Sequence, residues 1–126
     1  MTGAQILVAE DDGKSMKLLR DVLVATGYRI LEASTGQQAL KLATTNAPAL
    51  VLMDIRLPDM TGIEALGSLR TDQRTARIPV LAVTAEAMKG DQQRLIAVGF
   101  DGYISKPVDI DELLTTVAQH CDRGGR

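Results

Sequence analysis

At 126 residues the chain has room for one domain with a single core. Hydrophobic residues make up 45% and charged residues 24%, ordinary values for a soluble globular protein, and the net charge of −2 argues against a general nucleic-acid binder, which needs a basic face. Cys121 is the single cysteine and His120 the single histidine, which excludes a disulfide framework, a cysteine zinc site and a multi-histidine metal site. No apolar stretch approaches the ~18 residues of a membrane span. Met1-Thr2-Gly3-Ala4-Gln5 lacks the basic flank and apolar core of a signal peptide, so a reducing cytoplasm is the expected compartment.

In chain order, Gln5 to Ala9 predicts a first strand that stops at Glu10-Asp11-Asp12, with Asp12 placed to cap the helix that follows. Met16, Leu19 and Leu23 share one side of a helix from Lys14 to Thr26, and Gly27 supplies its stop. Tyr28 to Glu32 is the second strand. Gln37 to Thr45 is the second helix, with Ala39, Leu40 and Ala43 as its apolar stripe, and Asn46-Ala47-Pro48 ends it. The unbroken run Ala49-Leu50-Val51-Leu52-Met53 reads as a strand buried on both faces, and it closes on Asp54.

A loop through Pro58 and Gly62 then leads to a helix from Ile63 to Arg70, with Leu66 and Leu69 facing inward. Pro79 stands at the entrance of a fourth strand, where a missing N–H costs least, and Val80 to Val83 stops at Thr84. Ala87 to Val98 is the fourth helix, closed by Gly99, and Asp101 to Ser105 is the fifth strand. Lys106-Pro107 follows, a bond that invites the cis form and an inward-aimed lysine. Asp109-Ile110-Asp111-Glu112 resembles a capping box for a last helix lined by Leu113, Leu114 and Val117, with His120-Cys121 at its frayed end. Residues 1–121 form the domain, and 122–126 read as a flexible tail.

Five strands alternating with five helices predict a doubly wound α/β fold with a parallel sheet in the flavodoxin-like order 2-1-3-4-5. That order makes strands 1, 3, 4 and 5 neighbours. Their ends bring Glu10-Asp11-Asp12, Asp54, Thr84 and Lys106 around one crevice. Packed carboxylates repel, and a divalent cation resolves the conflict. An all-oxygen donor set suits Mg²⁺, with Mn²⁺ as a substitute, and the proposed ligands are Asp11, Asp54 and the Arg56 backbone carbonyl, with Glu10 acting through water. A cation, an ammonium and a hydroxyl together form a receptor for a phosphoryl group, which an ionised Asp54 can accept as an acyl phosphate.

These residues, as Ile6-Leu7-Val8-Ala9-Glu10-Asp11-Asp12, Leu52-Met53-Asp54-Ile55-Arg56-Leu57-Pro58-Asp59-Met60-Thr61-Gly62, Val83-Thr84-Ala85 and Tyr103-Ile104-Ser105-Lys106-Pro107, resemble a response-regulator receiver domain of bacterial two-component signalling, from Gln5 to Cys121. Ala87-Met88-Lys89-Gly90-Asp91 is most similar to single-domain receivers of the DivK type and to receivers of hybrid histidine kinases. The resemblance implies that Asp54 accepts phosphoryl from a phosphohistidine on a histidine kinase or phosphotransfer protein. It implies that Glu10 and Asp11 hold Mg²⁺, and that Lys106 pairs with the phosphoryl oxygens. Thr84 swings its hydroxyl onto the phosphoryl group near the Ala85 N–H, and Tyr103 follows inward. That movement alters the face of the fourth helix, fifth strand and fifth helix that a downstream protein reads. Arg56 and Glu86 flank the site and are expected to hinder an attacking water.

The resemblance further implies a switch rather than an enzyme with a separate substrate, a monomer or weak homodimer, and no direct contact with nucleic acid or membrane. A haloacid-dehalogenase-type phosphatase is disfavoured because it needs an acid two residues after its nucleophile, where this chain has Arg56. A flavodoxin-like cofactor binder needs a glycine-rich loop after the first strand, and none is present. With no output segment after Arg126, the signal is expected to leave through protein contact. A receiver belonging to a hybrid histidine kinase, acting as a relay station, is the alternative.

Overall fold

The structure is a computed structural model that describes residues 3–85 and 89–124, with the side chains of 89–91 and 122–124 left aside. Strands β1 (Gln5–Ala9), β2 (Arg29–Ala33), β3 (Leu50–Asp54), β4 (Val80–Thr84) and β5 (Gly102–Ser105) alternate with helices α1 (Gly13–Thr26), α2 (Gly36–Asn46), α3 (Gly62–Thr71), α4 (Lys89–Val98) and α5 (Ile110–Gly124). All strand pairs are parallel, in the order β2-β1-β3-β4-β5. The expected doubly wound fold is the observed one.

Burial follows the sequence pattern. Every residue of β3 and β4 is buried, as unbroken apolar runs require when helices cover both faces of a sheet. On one face Ala39, Ala43, Leu66, Leu69 and Leu95 bring α2, α3 and α4 onto Leu7, Val51, Met53 and Val80. On the other, Met16, Leu19, Leu23, Leu113 and Val117 bring α1 and α5 onto Ile6, Val8, Leu52 and Leu81. Each fully buried leucine contributes about 1.5–3 kcal/mol relative to exposure, so the two clusters hold the strand ends in a fixed register.

Asp12 caps α1 as expected, accepting the Ser15 N–H at 3.0 Å, and Gly27 ends the helix in the left-handed region at φ 110°. Most other boundaries move by one residue, and three differences are informative. Asp101, expected as the first residue of β5, instead stands just outside it. Its Oδ2 accepts the Val80 N–H at 2.8 Å and Arg70 Nη2 at 2.9 Å, so it ties the β4 entrance to α3. His120-Cys121, expected at a frayed end, is anchored: Cys121 is buried, and the His120 ring nitrogens lie 2.9 Å from Thr116 O and 3.2 Å from Asp101 O. Helix α5 continues to Gly124, so the first three residues expected as a tail are helical. The start expected for α4, Ala87-Met88, lies outside the described residues. The Lys106–Pro107 bond is cis, as anticipated.

Candidate functional site

Strand register assembles the site. Ala9 pairs with Met53, Asp54 with Val83, and Thr84 with Ser105, so four neighbouring strands terminate at one level. The chain emerging there places Glu10, Asp54, Thr84 and Lys106 at a cleft of about 280 Å³, with Asp11, Asp12, Arg56 and Ala85 around its rim. This is the carboxyl edge of a parallel sheet, where open α/β folds bind ligands.

Buried charge dominates the cleft. Asp54 is 7% exposed; its Oδ1 accepts the Arg56 N–H at 3.0 Å, and its Oδ2 lies 3.4 Å from Lys106 Nζ. Glu10 is 2% exposed, and its Oε2 accepts the Asp12 N–H at 3.2 Å. Its Oε1 stands 2.6 Å from Lys106 Nζ yet makes no well-aligned hydrogen bond. Burial, and then the adjacent Asp54 carboxylate, push Glu10 up to about 7 against the opposing pull of Lys106. Burial draws Lys106 downward, but Glu10 and Asp54 together outweigh it and hold the ammonium above its ordinary value.

Carboxylate oxygens of Glu10, Asp11 and Asp54 all lie within 4.8 Å of one another. Two of these acids are buried and Asp11 is exposed. A buried, misaligned oxygen beside two further carboxylates is a donor set that fits a hard divalent cation. Neutral or thiolate ligands, which softer metals prefer, are absent from this cluster.

The remaining expected residues divide by location. Thr84 is 4% exposed at the cleft, and the Lys106 N–H donates to its carbonyl at 2.8 Å. Arg56 is exposed on the rim. Tyr103 does not line the cleft: it is half-buried on β5, and its hydroxyl donates to Gln92 Oε1 of α4 at 2.8 Å. Glu86 lies outside the described residues. Sequence reading overlooked Asp59, whose two carboxylate oxygens accept the Gly36 N–H at 2.7 Å and the Gln37 N–H at 3.0 Å. It also overlooked the capping box of Thr61 and Glu64 that opens α3. The Thr-x-x-Glu spacing signals the second; nothing local signals the first.

A parallel sheet with acids, a lysine and a hydroxyl at its carboxyl edge places the chain among doubly wound α/β domains with a polar cleft at that edge. The family model of the response regulator receiver domain matches residues 6–118, and the chain belongs to that family. It is 41% identical over 115 residues to the polar-differentiation response regulators DivK of Brucella ovis and Brucella abortus, covering 91% of this chain and 94% of each relative. Among solved structures, a putative response regulator from Chloroflexus aurantiacus superposes with a TM-score of 0.90 at 26% identity, over 96% of this chain and 99% of that one. The receiver domain of the sensor histidine kinase PA1611 from Pseudomonas aeruginosa, which carries a magnesium ion in its active-site cleft, superposes with a TM-score of 0.88 at 30% identity. That match spans 96% of this chain and 99% of the other.

Proposed function

We propose that the chain is a phosphoacceptor switch of a two-component system or phosphorelay, with Asp54 as the acceptor. The observation that carries this reading is the placement of Asp54 Oδ2 beside Lys106 Nζ in the cleft that Thr84 also lines. An Asp54 oxygen attacks the phosphorus of a phosphohistidine. The O–P bond forms as the N–P bond breaks, and the electron pair of the broken bond returns to the imidazole, which takes up a proton. Such a transfer needs positioning and charge neutralisation more than a strong base. Lys106 supplies a fixed positive charge for the phosphoryl oxygens, and the Thr84 hydroxyl and Ala85 N–H supply hydrogen bonds.

Glu10, Asp11, Asp54 and the Arg56 carbonyl are the residues that would hold Mg²⁺, or Mn²⁺ in its place. When bound, the ion neutralises charge on the acids and on the incoming phosphoryl group. Tyr103 and Thr84 carry the response. Once Thr84 turns to the phosphoryl group, Tyr103 gains room to move inward and changes the α4–β5–α5 surface. The shift is limited to the differential interaction of the phosphoryl group with the two states.

Arg56 at the rim is assigned to slowing water attack on the acyl phosphate, and Glu86 is assigned the same role from its place in the sequence. The domain turns over no separate metabolite. Its partners are a histidine kinase or phosphotransfer protein and a downstream protein, met in the cytoplasm, with no direct nucleic-acid contact. Among the described residues no helix is long and apolar enough to cross a membrane. A receiver within a hybrid kinase is the second reading, favoured by the likeness to the PA1611 receiver.

Phosphotransfer profiling against a full set of histidine kinases and phosphotransfer proteins tests the proposal. One or a few kinases should label the wild-type chain, and Asp54→Asn should abolish labelling. Labelling that persists in Asp54→Asn refutes the acceptor assignment.

A further inference from the structure

The loop from Ile55 to Thr61 carries the Arg56 carbonyl, and it is short and self-bonded. Leu57 N–H donates to Met60 O at 3.2 Å, Gly62 N–H donates to Ile55 O at 2.8 Å, and Arg56 pairs with Thr61 as an isolated bridge. These contacts shape the loop, and its first half is held by Ile55 N–H on Val83 O at 3.3 Å, Arg56 N–H on Asp54 Oδ1 at 3.0 Å and the buried Leu57 side chain. Two further contacts hold its second half to α2. Asp59 takes the first N–H groups of α2, those of Gly36 and Gln37, with one carboxylate oxygen each. Beside it, Met60 packs so closely on Gly36 that a Cβ there would overlap Met60 Cγ and Sδ.

These N–H groups have no partner within α2, because the first turn of a helix leaves its donors unmatched. The helix N-terminus also favours a negative charge. Both bonds hold the Asp59 carboxyl below its ordinary range, so it is ionised and bonded at neutral pH. The same helix has an ordinary cap as well: Thr35 Oγ1 accepts the Gln38 N–H at 3.1 Å. Asp59 is therefore an additional cap, supplied from a segment 23 residues away. A helix that already has its own cap does not need this bond to start. The loop, in contrast, has this bond as its tether to α2.

We propose that Asp59 is a positioning residue for the cation site: by clamping the β3–α3 loop to the N-terminus of α2, with Met60 seated on Gly36, it acts with the Arg56 N–H bond to Asp54 to set where the Arg56 carbonyl stands. The inference rests on the reading of the acidic cluster as a Mg²⁺ site. It assigns to Asp59 a function the sequence pattern does not disclose, because the residue touches neither Asp54 nor the other acids. Groups bonded directly to a metal ligand typically change metal affinity about 10- to 100-fold when removed. A group acting one step further out is expected to change it by about three- to tenfold.

The test is Mg²⁺ titration by calorimetry on the full chain without phosphodonor, alongside thermal melting. Asp59→Ala should weaken Mg²⁺ binding by about three- to tenfold. Asp59→Asn, which keeps one acceptor oxygen, should fall between it and wild type. Gly36→Ala, which forces Met60 away, should weaken binding in the same direction. Thr35→Ala removes a cap from the same helix without touching the loop, so it should lower the melting temperature and leave the Mg²⁺ affinity unchanged. Equal Mg²⁺ affinity in Asp59→Ala and wild type overturns the proposal, as does equal weakening in Thr35→Ala, which would mark a general loosening of α2. Should Asp59→Ala fail to fold, wild-type affinity in both Asp59→Asn and Gly36→Ala overturns it. A wild-type chain that binds no Mg²⁺ overturns the metal reading first and this inference with it.

Discussion

Lys106 holds its Nζ 2.6 Å from Glu10 Oε1 and 3.4 Å from Asp54 Oδ2, so its shorter contact is with Glu10 and not with the acceptor. A divalent cation and the lysine therefore compete for the same carboxylate. A cation that takes Glu10 leaves the ammonium to the phosphoryl group arriving on Asp54. Lys106→Ala removes the competitor and one positive charge from a low-dielectric cleft. Calorimetry should show Mg²⁺ binding about tenfold tighter, while the rate of labelling by a small phosphodonor falls by about a hundredfold. Weaker Mg²⁺ binding in this variant would show that the lysine organises the acids rather than competing.

Glu10 links the site to pH. Its carboxyl is raised to about 7 from 4.5, chiefly by burial and then by Asp54. The folded chain thus holds a proton that the unfolded chain releases at lower pH. Without metal, this group's contribution to stability is fully present below 4.5 and is lost as pH rises through about 7. Mg²⁺ must displace that proton. Its affinity should rise with pH by up to about tenfold per unit below about 7 and level off above it. Titrations in buffers of different ionisation enthalpy count the released proton, and Glu10→Gln should flatten the dependence. An unchanged pH profile in Glu10→Gln would assign the proton to another group.

Gly62 is required where α3 begins. A Cβ at this position would lie 2.5 Å from Asp54 O and 3.0 Å from Ile55 Cα, both backbone atoms that cannot swing aside. Gly62→Ala should lower stability by about 1–3 kcal/mol and displace the Asp54 backbone. Chemical denaturation measures the first effect, and Mg²⁺ affinity reads the second. Wild-type values for both would mean that the loop relaxes without consequence.

Tyr103 is held by Gln92 through one hydrogen bond of 2.8 Å between β5 and α4. A bond of this kind contributes about 0.5–1.5 kcal/mol, which is about two- to tenfold in the rotamer equilibrium. Gln92→Leu should shift Tyr103 toward the inward position by that factor. The chain has two tyrosines and no tryptophan, so in a Tyr28→Phe background the fluorescence reports Tyr103 alone. A signal identical in the Gln92 variant and its parent would show that this bond does not bias the switch.

The fold and most of the site were legible because both are written in short-range patterns. Unbroken apolar runs name β3 and β4, and the polar residue that ends each run falls at the sheet edge by necessity. Parallel crossovers then put those ends side by side. What was not legible depends on contacts across long separations. Asp59 reaches α2 over 23 residues, and Asp101 reaches back over 21 residues to the Val80 N–H. Asp101 has strand-like neighbours in Tyr103 and Ile104, yet its side chain competes for backbone donors and keeps it out of β5. The edge position of β2 fits its mixed burial, and the strand starts one residue late because the Tyr28 N–H donates to Leu23 O in the turn that ends α1.

The central claim is that Asp54 becomes an acyl phosphate. Borohydride reduction of the chain after incubation with phosphodonor and Mg²⁺, followed by peptide mass spectrometry, tests it most directly, because reduction cleaves an aspartyl phosphate to the homoserine alcohol. The reduced side chain should be found at position 54 alone, and it should vanish when Mg²⁺ is chelated or in Asp54→Asn. Reduction mapped to Asp11, Asp12 or Glu10 with Asp54 untouched would contradict the account.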